Sequence, residues 1–340
     1  MSGGCVSSGA QPPQSFQDPA LKFLLPASLL TLGLAIASLF TGASPVSFWS
    51  VVSGAADERA LMLLAESRIP RTISLILAGA GMAVAGTLMQ MLARNRFVEP
   101  STAGTVESAS LGMLLVLFFA PDLPVMAKML VSGAFALAGT FLFIAILERI
   151  PLRSALMVPL VGLMLGGVIS AVTAFLAYRF DLLQTLGAWT SGDFSAVLRG
   201  RYEVLWLSLA LTIAAYVAAD RFTLAGMGED FAVSLGLKYR QVLLLGLFIV
   251  AMVTAAVVVT AGVVPFVGLI VPNLVAMALG DRLRRTLPLI AVTGALLVLL
   301  CDLIGRTVNA PFEIPAGSVL GVVGSVFFLF LLLRRRSHAA

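Results

Sequence analysis

Histidine is nearly missing from this chain: the one copy in 340 residues is His338, in the carboxy-terminal tail. A body without imidazole offers no histidine general base and no histidine ligand cluster, so an enzymatic reading starts weak. Cysteine is as scarce. Cys5 lies in a polar leader and Cys301 in an apolar run, which suggests neither a disulfide framework nor a metal site. No Gly-Lys pair occurs, so the phosphate-cradling GxxxxGK[ST] loop is missing, and any ATP that drives this protein must be bound by another chain. Charge is thin as well: 11% of residues are charged, against about 25% in an average soluble domain. What is present is apolar, with 59% hydrophobic residues and a mean hydropathy of +1.03. These values describe an integral membrane protein. Long apolar blocks, rather than alternating strands of about ten residues, choose helices over a barrel.

Apolar runs predict ten spans, at 22–41, 70–91, 101–119, 124–147, 155–177, 203–219, 241–263, 267–280, 288–305 and 315–333. The eighth is short and carries Pro272, which points to a broken or re-entrant segment. With ten spans both termini share a side. That side collects 14 of the 22 basic residues: Lys22, Arg94, Arg96, Arg149, Arg153, Arg221, Lys238, Arg240, Arg282, Arg284, Arg285 and Arg334 to Arg336. Basic residues gather in cytoplasmic loops, so both termini are expected in the cytoplasm, and the net charge of +5 needs no nucleic acid to explain it. Residues 1–21 lack the basic and apolar blocks of a cleaved signal and read as a disordered leader. One polytopic domain follows over 22–335, with a polar cytoplasmic segment at 220–240 and a short tail at 336–340. The stretches "EPSTAG" at 99–104 and "EIPAGS" at 313–318 each set an acid, a proline and a glycine before a span, on opposite faces. An inverted repeat would do this, although chance matches so short are common in glycine-rich membrane chains.

Three stretches carry more. In "GEDFAVSLGLKYRQV" at 228–242, Glu229 and Asp230 suit the first turn of a helix, Phe231 and Leu235 fall on one face, and Gly236 can close the helix in a left-handed cap. The apolar face of this short helix must rest either on the protein's own spans or in a partner's groove. Around span two, Arg68 and Arg71 flank Pro70, and Gly79, Gly81 and Gly86 offer a surface for close helix approach. The arginines are either anchors standing in water or a collar that grips carboxylates of an external partner. In 263–317, Pro265 to Pro272 would interrupt helical hydrogen bonding, and Asp302 and Arg306 can pair across one turn. Glu107, near the start of span three, is the most unusual charge; such acids mark cavities or proton paths, or sit at the interface.

Taken together, "RIPR" at 68–71, "NRFVEPSTAG" at 95–104, "GEDFAVSLG" at 228–236, "FVGLIVPNL" at 266–274, "DLIGR" at 302–306 and "FEIPAGSVLGVVGSVFFLFLLLR" at 312–334 resemble the FecCD family. These are permease subunits of ABC importers for iron-siderophores and cobalamin. The likeness runs from about residue 25 to the carboxy terminus. It implies an all-α integral membrane protein of about ten transmembrane helices with the type II ABC importer permease fold. It also implies a second permease subunit, as homodimer or related heterodimer, two ATP-binding subunits, and a periplasmic or lipid-anchored substrate-binding protein. By this resemblance Glu229, Asp230, Phe231, Ser234, Leu235 and Gly236 couple to the ATPase. Arg68, Arg71 and Arg306 dock the binding protein, Arg306 least securely because Asp302 competes for it. Glu107, Pro272 and Asn273 stand by a cavity or pathway. The implied cargo is a ferric siderophore, with a lean to the catechol type from "TAGT" and "VPN". No cofactor or metal is expected on the chain itself; ATP is used by the partner, and the chain is no enzyme. The segment at 151–160 is too loosely matched to name an inner gate. Rival readings are a cobalamin or haem ABC permease, a proton-coupled secondary transporter with Glu107 as carrier, and a membrane scaffold without transport.

Overall fold

The computed structural model describes residues 19–42, 48–54, 57–150, 157–280 and 282–336. Cys5, Arg153, His338, most of the expected leader and residues 337–340 of the tail lie outside them. Every described regular element is helical. Helix α1 (Pro19–Phe40) is followed by the short α2 (Phe48–Val52) and α3 (Glu58–Leu63). A π turn at Leu64–Arg68 joins α3 to α4 (Ile69–Leu92). Then come α5 (Thr105–Phe119), α6 (Val125–Arg149), α7 (Met157–Arg179) and α8 (Leu183–Thr190). Helix α9 (Leu205–Val217) bends by 66° into α10 (Ala219–Gly226), and α11 (Glu229–Ser234) is a separate loop helix. The chain closes with α12 (Tyr239–Ala261), α13 (Val267–Leu279), α14 (Leu283–Val308) and α15 (Ala316–Arg336).

Each of the ten expected spans coincides with a helix. Six helices among the described residues are long and apolar enough to cross a membrane, the bent pair makes a seventh, and α5, α13 and α15 are shorter apolar helices. Helix α4 is the axis of the bundle and packs on α14, α13, α12 and α9. It does so through glycine: a Cβ on Gly79 would overlap the Gly294 backbone of α14, and one on Gly86 the Gly268 backbone of α13. Backbones that touch this closely gain van der Waals contact that no larger residue permits, which is the usual source of cohesion between helices in lipid.

The two short spans α5 and α13 begin inside the bundle rather than at its surface. The Thr105 and Thr140 hydroxyls are 2.7 Å apart, and Thr140 lies about 14 Å before the end of α6. The expected span at 101–119 is therefore shortened: Pro100–Thr102 forms a 3-10 turn, Gly104 turns left-handed at φ 76°, and the helix starts only at Thr105. From the other end of the bundle, Gly262 to Phe266 runs without helix until Phe266 lies against Gly324, about 12 Å into α15.

The break expected across Pro265–Pro272 is confined to this approach; α13 runs straight through Pro272. Proline there removes the N–H that would bond the Gly268 carbonyl, four residues back. The Gln90 side-chain amide of α4 donates to that carbonyl instead, at 3.2 Å. The next side chain, Asn273, donates to Leu269 O at 2.7 Å within the helix and to Arg96 O at 2.9 Å outside it.

Candidate functional site

The bundle has two chemically distinct ends. At the first, the carboxy-terminal ends of α1 and α14 meet the start of α4. Asp302 is almost fully buried and accepts from two guanidiniums: Arg71 through Nη2 at 2.7 Å and Nε at 3.2 Å, and Arg306 through Nε at 2.7 Å and Nη2. Arg71 Nη1 also reaches Glu313 Oε2 at 2.6 Å. Arg306 donates to Ser38 O at 3.0 Å, Thr41 O at 3.1 Å and Ser38 Oγ at 2.9 Å, and Arg68 to Leu39 O at 2.9 Å. The Asp302–Arg306 pair is the expected one. Arg68 and Arg71, read as standing in water, are each 8% exposed. The reason is topological: the acid that holds Arg71 comes from 231 residues away, and spacing along one helix cannot reveal it.

At the opposite end lie the loop helix α11, the connection after α4 and the start of α14. Gly228 precedes α11 at φ 115°, with the Arg94 guanidinium over it. Leu235 ends the helix and Gly236 follows at φ +78°. The Gly236 N–H bonds Val233 O at 2.9 Å and the Leu237 N–H bonds Ala232 O at 3.0 Å, a Schellman closure. Helix α11 thus has a fixed roll. Ala232 faces inward, fully buried, while Phe231 and Leu235 are 45% and 58% exposed. Glu229 and Asp230 occupy the exposed first turn, and Ser234 Oγ bonds back to Phe231 O at 2.7 Å. The chain's own spans thus cover only part of this face, and the rest is open. Beside α11, a cavity of about 440 Å³ opens between α4, α10, α13 and α14, with Gln90, Arg94, Asn95, Met227, Pro272 and Thr286 among its walls.

Both termini of the described bundle point to this second end. The end of α1 meets Arg306 at the first end, so its start with Lys22 lies opposite. The α15 ring of Phe328 packs edge-on against Phe97, with centroids 6.0 Å apart. Glu107 sits behind α7, against the notch left by Gly166, and its Oε2 is buried without a hydrogen-bond partner. The outward side of α7 is apolar: Leu163, Met164, Val168 and Phe175 are all more than half exposed. Val322, Val326 and Leu329 of α15 are similarly bare. Among the described residues no group of three or more His, Cys, Asp or Glu could hold a metal ion.

Of the residues expected by a cavity, Pro272 lines the one beside α11, whereas Asn273 is buried and spends its amide on Leu269 O and Arg96 O. Sequence reasoning misses Asp302 as a shared acceptor, Glu313 as its companion, Gln90 as the partner of the proline-freed carbonyl, and Glu99. A signal for Glu99 existed in the Glu-Pro pair that opens "EPSTAG".

Residues 29–334 match the FecCD transport family, which is nearly the whole described bundle. The chain belongs to that family. The FecCD chain is 47% identical over 311 residues to the petrobactin import system permease protein YclN of Bacillus subtilis, covering 92% of this chain and 98% of that one. It is 42% identical over 301 residues to the ferric-anguibactin transport system permease protein FatD of Vibrio anguillarum, covering 88% and 95%. Among solved structures it is similar to an inward-facing metal-chelate type ABC transporter, at a TM-score of 0.78 and 25% identity over 92% of this chain and 99% of that one. The FecCD chain is therefore an all-α, multi-pass membrane protein with the fold of an ABC importer permease.

Proposed function

We propose that this chain is the permease subunit of an ABC importer that carries a ferric siderophore across the cytoplasmic membrane by alternating access, with ATP hydrolysed by separate subunits. The observation that carries this reading is the loop helix α11, closed at its carboxy-terminal end by a Schellman pair and leaving Phe231 and Leu235 exposed. A short amphipathic helix in this state is half of a helix-in-groove contact, and the missing half is the ATP-binding subunit. The basic residues around it make this the cytoplasmic end, with both termini there. The family and the names of the two relatives support the cargo class; a catechol-type siderophore is the narrower expectation.

A second permease subunit covers the bare faces of α7 and α15, where the pathway runs between the two. At the far end a substrate-binding protein docks on the surface framed by Arg68, Arg71 and Arg306. Because these guanidiniums already hold α1, α4 and α14 together, their part in docking is to set the shape of that surface and to exchange acidic partners with Glu313 at its rim. Glu107, behind α7, backs the pathway rather than lining it.

The test is gentle purification from the native membrane with identification of what travels with the chain. An ATP-binding subunit, and uptake of ferric petrobactin into proteoliposomes only with ATP, is the expected result. Uptake that persists without ATP and collapses with an uncoupler would replace this reading by a proton-coupled one, with Glu107 as its carrier. A sharper arm uses Gly236→Val with Glu229→Lys. The left-handed φ at Gly236 costs a side chain about 1–2 kcal/mol, although a Cβ there meets only open space. Retention of the ATPase should fall several-fold while the melting of the bundle hardly moves; normal retention would remove α11 from the interface.

A further inference from the structure

Glu99 is wholly buried, and its place in the fold is unusual. It stands where the two interrupted spans meet: the non-helical approach to α5 from one end of the bundle and the approach to α13 from the other. Its Oε1 accepts the Phe266 N–H at 2.8 Å, the last amide before α13 begins. Its Oε2 lies beside Gly268 in the first turn of α13, buried and without a hydrogen-bond partner. A carboxylate at this position faces the unsatisfied amides and positive dipole end of a 13-residue helix. Phe266 itself is held left-handed at φ 64°, a conformation that costs a bulky residue energy and needs outside support. The Glu99 bond is that support. On its own side, Glu99 is fixed by its N–H to Thr102 Oγ1 at 3.0 Å and by the Ser101 hydroxyl.

The surrounding segment makes more of this than a cap. Residues 94–99 reach the start of α11, α13 and α15 at once. Arg94 covers Gly228 at the start of α11, Arg96 O takes the Asn273 amide in α13, Phe97 packs on Phe328 of α15, and Glu99 holds Phe266, whose ring lies on Gly324 of α15.

We propose that Glu99 is a positioning residue of transport: its carboxylate clamps the first turn of α13 to the 94–99 segment, so that displacement of α11 reaches α13 and α15 as one body. The transport part rests on the ABC reading above; the clamp itself does not.

The experiment compares wild type, Glu99→Gln and Glu99→Asp in the assembled importer. It reads amide hydrogen exchange at 266–269, ATP hydrolysis, and uptake of ferric petrobactin. The Gln amide oxygen can still accept from the Phe266 N–H, but a neutral acceptor holds it more weakly than a carboxylate, so exchange at Phe266 should speed about fivefold in Glu99→Gln. Hydrolysis should stay within about twofold of wild type while uptake falls about tenfold, an uncoupling that a merely structural role would not give. Glu99→Asp should fall between. Unchanged exchange overturns the clamp, and faster exchange with normal uptake overturns its role in transport. Uptake lost only in proportion to assembled complex reduces Glu99 to a fold residue. If wild type neither retains an ATPase nor needs ATP, the functional reading fails, and the exchange measurement still decides the clamp.

Discussion

Asp302 shows how a single side chain is worth more than its pairwise bonds. It neutralises one of two neighbouring guanidiniums outright and shares the other with Glu313, in a region closed to water. Replacing it with Asn leaves the buried Arg306 facing a neutral amide and Arg71 with Glu313 alone. Breaking a buried ion pair from one side costs about 3–5 kcal/mol, so Asp302→Asn should lower the thermal midpoint in detergent sharply. The control is Glu66→Gln. That residue pairs with Arg199 at 3.2 Å across an exposed surface, with side chains 46% and 67% exposed, and such pairs give about 0–1 kcal/mol. Comparable losses in the two variants would mean that the cluster around Asp302 is not closed to water. Half of this cluster was legible: Arg306 lies one turn from Asp302 on the same helix. Arg71 was not, because its contact is made by tertiary packing.

The lesson repeats for whole elements. The long helices could be read from hydropathy because a helix that crosses the hydrocarbon needs about 20 apolar residues, and that requirement writes itself into each such span. The starts of α5 and α13 could not be placed so well, since depth within the bundle is set by neighbours. Proline signalled trouble near Pro272 correctly, yet the helix continues there because Gln90, on another helix, supplies the missing bond. Gln90→Ala should therefore leave the Gly268 carbonyl unpaired and cost about 1–3 kcal/mol, read as a lowered melting midpoint. Glycine contacts sort just as clearly. Gly86→Ala drives a methyl into the backbone of α13 and should abolish folded protein in membranes, whereas Gly33→Ala on α1 meets nothing within 4 Å and should be silent. A folded Gly86→Ala protein would show that the two helices can separate.

At the scale of the whole molecule, apolar helix faces stay bare on α1, α7 and α15, and lipid or a second permease subunit can cover each of them. Cys301 is buried, which leaves the described surface without a native thiol. Val168→Cys or Val326→Cys should then crosslink to the second permease subunit under mild oxidation if that subunit is another copy of this chain, doubling the apparent mass. A cross-link only to a different, similar-sized chain would make the pair a heterodimer.

The arginine cluster has a mechanical meaning as well. It fastens the far tip of α14 to α1 and α4, while the near tip of the same helix carries Arg284 against Asp220 beside the loop helix. From Arg306 back to Leu283 the helix runs about 35 Å, interrupted at Pro288 and seated at mid-length where Gly294 meets Gly79 of α4. A beam bolted at one end and bedded along its length does not swing alone; a push at its near tip is carried into α4 and α1 together. Asp302 is the rivet of a joint that keeps the mouth of the bundle in one piece.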